Sequence, residues 1–156
     1  MRSRKGQATI EYLVLVAVAI IIALVIFGFL GWIPGMAGTL RERQARMWWS
    51  SSWPVAIKDY KVTSTEATFL MENVGDDAVK LKNITVELTN GTTVTSSFAD
   101  YKLIQGEAKT YDATNITCTA GSAYELSNVT MRYDVVKGIT GQAETGDRPL
   151  IGQCVG

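Results

Sequence analysis

The chain contains no histidine. That removes the usual proton carrier near neutral pH, the base of a Ser-His-Asp triad and the commonest nitrogen ligand for a metal. Gly-rich phosphate-binding loops are also missing, and Asp76-Asp77 reads as a turn with no partner acid in sight. No catalytic residue, metal site or cofactor is therefore expected. There is no excess of either charge, with 15 Lys and Arg against 15 Asp and Glu. Such a balance gives no reason to expect nucleic-acid binding, which relies on basic surfaces. There is no internal repeat. Charge is absent altogether from Tyr12 to Leu40.

That uncharged run is the main positive feature. From Tyr12 to Ile33 it is almost wholly aliphatic or aromatic. As a helix rising about 1.5 Å per residue it reaches roughly 33 Å, enough to cross a hydrocarbon core of about 30 Å. A buried helix of a soluble domain is the plainer alternative, but the length and the lack of charge both oppose it. The preceding residues, Met1 to Gly6, are short and basic, with Arg2, Arg4 and Lys5. Positive charge ahead of an apolar segment holds that end in the cytoplasm. Ala37-Gly38 is a conceivable signal-peptidase site beyond the run; "GQATIEYL" offers a different one before it.

The stretch "KGQATIEYLVL" resembles the class III signal of archaeal type IV pilin-like precursors. Those carry a basic leader ending in Gly, followed by Gln-x-Ser/Thr-x-Glu-x-x-x-Leu. The matching residues are Gly6, Gln7, Thr9, Glu11 and Leu15, with Thr9 where Ser is more usual. The resemblance covers about the first 25 residues. It implies that a membrane prepilin peptidase cuts between Gly6 and Gln7, and that the apolar helix is retained as the core of a filament. It implies a homopolymer built through the N-terminal helices by a pilus assembly machinery. The precursor would lie in the cytoplasmic membrane, the assembled subunit on the cell surface, with adhesion as its expected role. A single-span anchored extracellular binding domain and an archaellum-type subunit are the alternatives. An anchor needs no cleavage site ahead of its span, and archaellum subunits usually lack the Gln-x-Thr-x-Glu arrangement.

Glu11 has a physical role in this reading. A carboxylate near the bilayer centre costs at least about 2.5 kcal/mol. Cleavage after Gly6 creates an ammonium on Gln7, one helical turn before Glu11 and beside the positive end of the helix dipole. Glu11 can neutralise that amine in its own chain. Resemblance to type IV pilins implies that it pairs with the amine of a neighbouring subunit during assembly. A glutamate that merely complements the helix dipole is the simpler alternative.

Gly28, Gly31, Pro34, Gly35 and Gly38 crowd the end of the apolar run. They predict a kink or short break between Gly31 and Gly38, or close helix packing through small residues. "TLRE", Thr39 to Glu42, then reads as a capping box restarting a helix, and Glu42 stands four residues before Arg46 in the favourable orientation. Trp48, Trp49 and Trp53 lie about 15 residues beyond the apolar run, too far for an interfacial belt at the same membrane surface. Packing of the helix end on the following domain is the expected role.

After Pro54, Ser, Thr and β-branched residues dominate. "EATFLMEN" (66–73) reads as a strand and "VGDDA" (74–78) as a turn. "VKLKNITVEL" (79–88) alternates with a phase slip near Asn83, which a β-bulge would reconcile. Asn90-Gly91 is the strongest hairpin signal, feeding "TTVTSSF". Val129, Met131, Tyr133 and Val135 alternate with polar residues. The expected class is α+β: a cleaved leader (1–6), a long N-terminal helix (7–53) and an antiparallel Ig-like β-sandwich (54–156).

Two features suit this domain to an external compartment. Four Asn-x-Thr triplets, at Asn83, Asn90, Asn115 and Asn128, are glycosylation candidates. Asn83 and Asn128 share parity with outward polar neighbours, and Asn90 sits at a hairpin tip, where a plain turn role serves equally well. Cys118 and Cys154 both fall in the β domain, where an oxidising compartment allows them to bond; two buried free thiols is the alternative. Loss of Arg2, Arg4 and Lys5 leaves 12 basic against 15 acidic residues, a net −3. The mature chain is expected to begin at Gln7. Mass spectrometry of the N-terminal peptide from assembled material reads this directly, and a retained Met1 overturns it.

Overall fold

A computed structural model describes residues 4–156, with the side chains of 10–28, 38–99 and 101–156 among them. The class is α+β: one long helix followed by eight strands. Helix α1 spans Arg4–Ser50. The strands are β1 (Val55–Val62), β2 (Ala67–Asn73), β3 (Val79–Glu87), β4 (Thr93–Leu103), β5 (Ala108–Ala113), β6 (Ala123–Val135), β7 (Gln142–Thr145) and β8 (Leu150–Gln153). The chain divides into two compact units, the first ending at Leu40 and the second running from Arg41 to Gly156. The last turns of α1 thus belong with the strands, whereas the sequence placed the division at residue 53.

The helical backbone runs through Gly31–Gly38 without the break that Pro34 and its glycines predict. Thr39 to Glu42 consequently lies inside α1 and caps no new helix. Proline costs a helix about 3 kcal/mol in water, but apolar spans tolerate it where neighbours re-satisfy the freed carbonyl. The Glu42–Arg46 pair does form, at 3.1 Å.

The strands build two antiparallel sheets. One has the order β1-β2-β5; the other has the order β4-β3-β6-β7, with β8 also paired to β6. The phase slip in β3 is a bulge: register shifts between Leu81 and Asn83 against both β4 and β6. It lets Val79 and Leu81 before it, and Ile84 and Val86 after it, face the same core. The Asn90-Gly91 hairpin joins β3 to β4, with Gly91 at φ 82° in the left-handed region that glycine adopts without a Cβ penalty. On the outer face, Thr85 and Thr95 meet hydroxyl to hydroxyl at 2.9 Å, and Thr130 and Thr145 at 3.0 Å, as cross-strand pairs do.

Both sheets contribute to one hydrophobic cluster, with Phe69, Met71 and Tyr111 from one and Leu81, Ile84, Leu126 and Met131 from the other. Each such side chain is worth about 1.5–3 kcal/mol when buried. One polar group lies inside without cost: Asn73 donates to the carbonyls of Asp77 (2.8 Å) and Leu103 (3.0 Å) and accepts from the Gly75 amide (3.0 Å). It ties the 74–78 turn to the end of β4. The Cys118–Cys154 disulfide is formed, with Cα atoms 5.8 Å apart. It fastens the chain end to the loop before β6, and the Val155 amide then reaches the Val62 carbonyl at 3.1 Å.

Trp49 joins α1 to this core. It is fully buried and its indole nitrogen donates to the Arg148 carbonyl at 2.9 Å. Gly146 makes room for it: a Cβ there would come within 2.1 Å of the indole ring. Gly146→Ala is expected to destabilise the β unit by about 1–3 kcal/mol through overpacking, and Trp49→Ala by about 3–5 kcal/mol through the cavity it leaves. Near-UV circular dichroism during thermal unfolding measures both. An unchanged midpoint in Gly146→Ala would show that the indole has another place to go.

Candidate assembly surface

Within α1, Ile10–Gly28 is long and apolar enough to cross a membrane, with a mean hydropathy of 3.0 and no share of it buried. Its large side chains face outward on every side; Ile10, Leu15, Ile21, Leu24 and Phe27 are each at least 60% exposed. A helix apolar all round has no solvent-facing side and belongs in lipid or against other apolar surfaces. Gly28 offers open space, since a Cβ there would meet nothing within 4 Å. Gly6 and Gln7 fall within the helical backbone, and their side chains, like that of Thr9, lie outside the described residues. Glu11 is exposed, one position beyond Ile10.

In the second unit the end of α1 is held by more than Trp49. Arg46 pairs with Glu42 and with Asp59 on β1, and its guanidinium lies 4.4 Å from the centre of the Tyr60 ring. The Tyr60 hydroxyl donates to the Ile151 carbonyl at 2.8 Å and accepts from the Ile151 amide at 3.2 Å. One arginine thus links the helix to β1, and one tyrosine links β1 to β8. Arg41 reaches Glu125 on β6 at 3.4 Å, an exposed pair worth little by itself. The expected packing of the tryptophans holds for Trp49 and for Trp48, which lies edge-on to it at 4.8 Å. It does not hold for Trp53, which is 68% exposed. Asp59 and Tyr60 had no signal in sequence, because only the sheet brings them to the helix.

The four candidate asparagines are scattered. Asn90 and Asn115 are exposed, at the β3–β4 tip and in the loop after β5. The Asn90 side-chain oxygen accepts from the Thr92 amide at 2.9 Å, the turn role its sequence also allows. Asn128 is exposed with φ 49°, and the nitrogen a glycan would occupy donates to Glu87 at 2.6 Å. Asn83 is half-buried on a strand paired on both sides, with its side-chain oxygen enclosed and unpartnered. Parity placed it outward as expected, but the flanking strands reduce its access. Among the described residues no group of three or more Cys, Asp or Glu could hold a metal. No protein-family model matches the chain, and neither does any curated protein sequence.

Glu144 is the most perturbed acid among the described residues, and nothing in its sequence neighbourhood hints at it. On β7 it faces Met131, and one carboxylate oxygen is enclosed without a partner. Burial pushes its pKa up to about 7; the Val55 amide and the Ser52 hydroxyl oppose this without cancelling it. The folded value exceeds the ordinary carboxylate value of 4.5, so the native state holds a proton that the unfolded chain has lost. The associated stability is fully present below about pH 4.5 and is lost as pH rises through about 7. Solvent screening at a half-buried site limits the effect to about 1–2 kcal/mol. Glu144→Gln is therefore expected to raise the unfolding midpoint at pH 8 and to flatten its fall between pH 5 and 8. Parallel melts of both proteins across that range measure it, and identical pH profiles would show that the carboxylate is solvated.

Proposed function

We propose that the chain is the structural subunit of an archaeal type IV pilus-like surface filament. The observation that carries the reading is the pairing of an uncleaved-helix signal, Gly6-Gln7 with Glu11, with an apolar segment exposed on all sides. Before assembly that segment lies in the cytoplasmic membrane. After the bond between Gly6 and Gln7 is cut, helices of successive copies pack on one another and form the filament core, while the β units coat the outside. Surface adhesion is the role such a coat serves. No catalysis, cofactor or nucleic acid enters.

Several observations support this reading. Burying one Leu or Ile is worth about 1.5–3 kcal/mol, and the segment supplies many of them. The β unit has its own core and disulfide, so it asks nothing of the apolar segment for its stability. The strand order supports an Ig-like reading of that unit: first, second and fifth strands in one sheet, fourth, third, sixth and seventh in the other. The disulfide departs from that pattern, since it joins the loop before β6 to the chain end rather than sheet to sheet.

The membrane-anchored alternative shares the span but needs neither the leader nor Glu11. Val18→Asp places a charge in mid-helix and is expected to abolish filaments. Glu11→Ala is expected to leave insertion intact and reduce filament yield at least several-fold. Removing residues 1–40 is expected to give a soluble, folded, disulfide-bonded monomer. Electron microscopy of sheared surface material and sedimentation of the truncated unit read these outcomes. Normal filaments from Glu11→Ala would reduce that residue to a dipole partner, and polymerisation of the truncated unit would move assembly to the β surface.

A further inference from the structure

A cleft of about 420 Å³ opens beside the Trp53-Pro54 step, between the 74–78 turn and the 135–139 turn. Its walls are chemically divided. Pro54, Val135 and Ile139 supply an apolar floor and rim, and Ile139 is 71% exposed. Trp53, 68% exposed, stands at the edge with its ring unpaired among the described aromatic contacts. Asp76 and Asp77 project from the turn on the same rim, and no lining side chain is basic. Asp76 receives one long bond from Gln105, at 3.3 Å; among the described residues the Asp77 carboxylate has no partner.

The wall also holds two closely packed turns. Gly138 and Gly75 both line the cleft. A Cβ on Gly138 would come within 2.8 Å of Val135, and one on Gly75 within 2.9 Å of Pro54. Neither neighbour is the free end of a flexible chain, so the tight turns that bound the cleft depend on these glycines.

Two adjacent aspartates alone would be an ordinary solvated turn. Here they stand above an apolar floor and beside an exposed indole. The combination suits a group with an apolar stem and a cationic head. The stem lies on Pro54, Val135 and Ile139, as long basic side chains lie along apolar surfaces. The head meets the ring face by cation–π attraction and the two carboxylates by charge. The volume is ample for one long side chain together with the backbone that presents it. We propose that this cleft takes a lysine or arginine side chain presented by another polypeptide. The inference does not depend on whether the chain forms filaments.

The test uses the full chain in neutral detergent micelles with 15N-labelled indoles. The Trp53 resonance is assigned by its loss in Trp53→Phe. Titration with the peptide Gly-Ser-Lys-Ser-Gly should move that resonance saturably. The same peptide with norleucine for lysine should bind at least ten-fold more weakly. The double variant Asp76→Asn, Asp77→Asn should weaken the lysine peptide at least five-fold while leaving the remaining indole resonances in place. Added salt should weaken it as well, because the carboxylates are exposed. Equal binding of the norleucine peptide would reduce the cleft to an apolar patch and overturn the proposal. So would a response to methyl glucoside in place of the lysine peptide, or no response to lysine at all.

Discussion

The organising constraint is that Ile10–Gly28 cannot face water. Its side chains are exposed around the whole circumference, so no rotation of the helix hides them. Lipid or other apolar helices must do so. This requirement explains why the rest of the protein is self-sufficient. The unit from Arg41 onward closes its own core, satisfies its one deeply buried amide and ties down its own C-terminus. A β unit that borrowed stability from the apolar segment would lose it whenever the cover around that segment changed.

The same constraint accounts for how α1 ends. Its last turns carry Ala45 and Trp49 inward, and Arg46 toward Asp59 and Tyr60. The helix thus changes character along its length. Over Ile10–Gly28 its side chains are exposed; from Arg41 it is part of a packed domain. Trp49 bears most of that attachment because it combines a large buried area with a directional bond to Arg148, and because Gly146 yields the space. Ion pairs around it add orientation more than energy, since they remain partly solvated.

What the sequence disclosed follows the range of the forces concerned. Local signals were legible: the Asn90-Gly91 hairpin, the strand at Ala67–Asn73, and the bulge at Asn83, betrayed because the apolar residues of β3 change parity there. The pairing of Cys118 with Cys154 was legible because there were only two thiols. Of the kink or break expected between Gly31 and Gly38, the break is absent: proline and glycine lower helix propensity without forbidding a helical backbone. Trp53 was grouped with its neighbours by position, but it follows the end of α1 and points elsewhere. Glu144 was illegible for a different reason. Nothing in "QAET" distinguishes an outward from an inward carboxylate on a four-residue strand, and only pairing with β6 turns it toward Met131. Arg46 was seen as half of a helical pair, while its links to Asp59 and Tyr60 needed the tertiary fold.

Within the proposed function, lipid and sibling helices are nearly interchangeable as cover for aliphatic side chains. Neither distinguishes Leu15 from Leu24, and dispersion with a lipid tail resembles dispersion with a neighbouring Ile. A filament built on that contact alone would have no register. Register needs a group that the two environments treat differently, and Glu11 is the one Asp, Glu, Lys or Arg between Ile10 and Leu40. In lipid its charge is costly unless paired or near the interface; opposite the ammonium of a cleaved neighbour it is neutralised at a fixed distance along the helix. The aliphatic surface then supplies the amount of attraction and the carboxylate its position. Cleavage at Gly6 becomes the step that permits assembly, because only the mature chain has an amine one turn from Glu11 for a neighbour to meet.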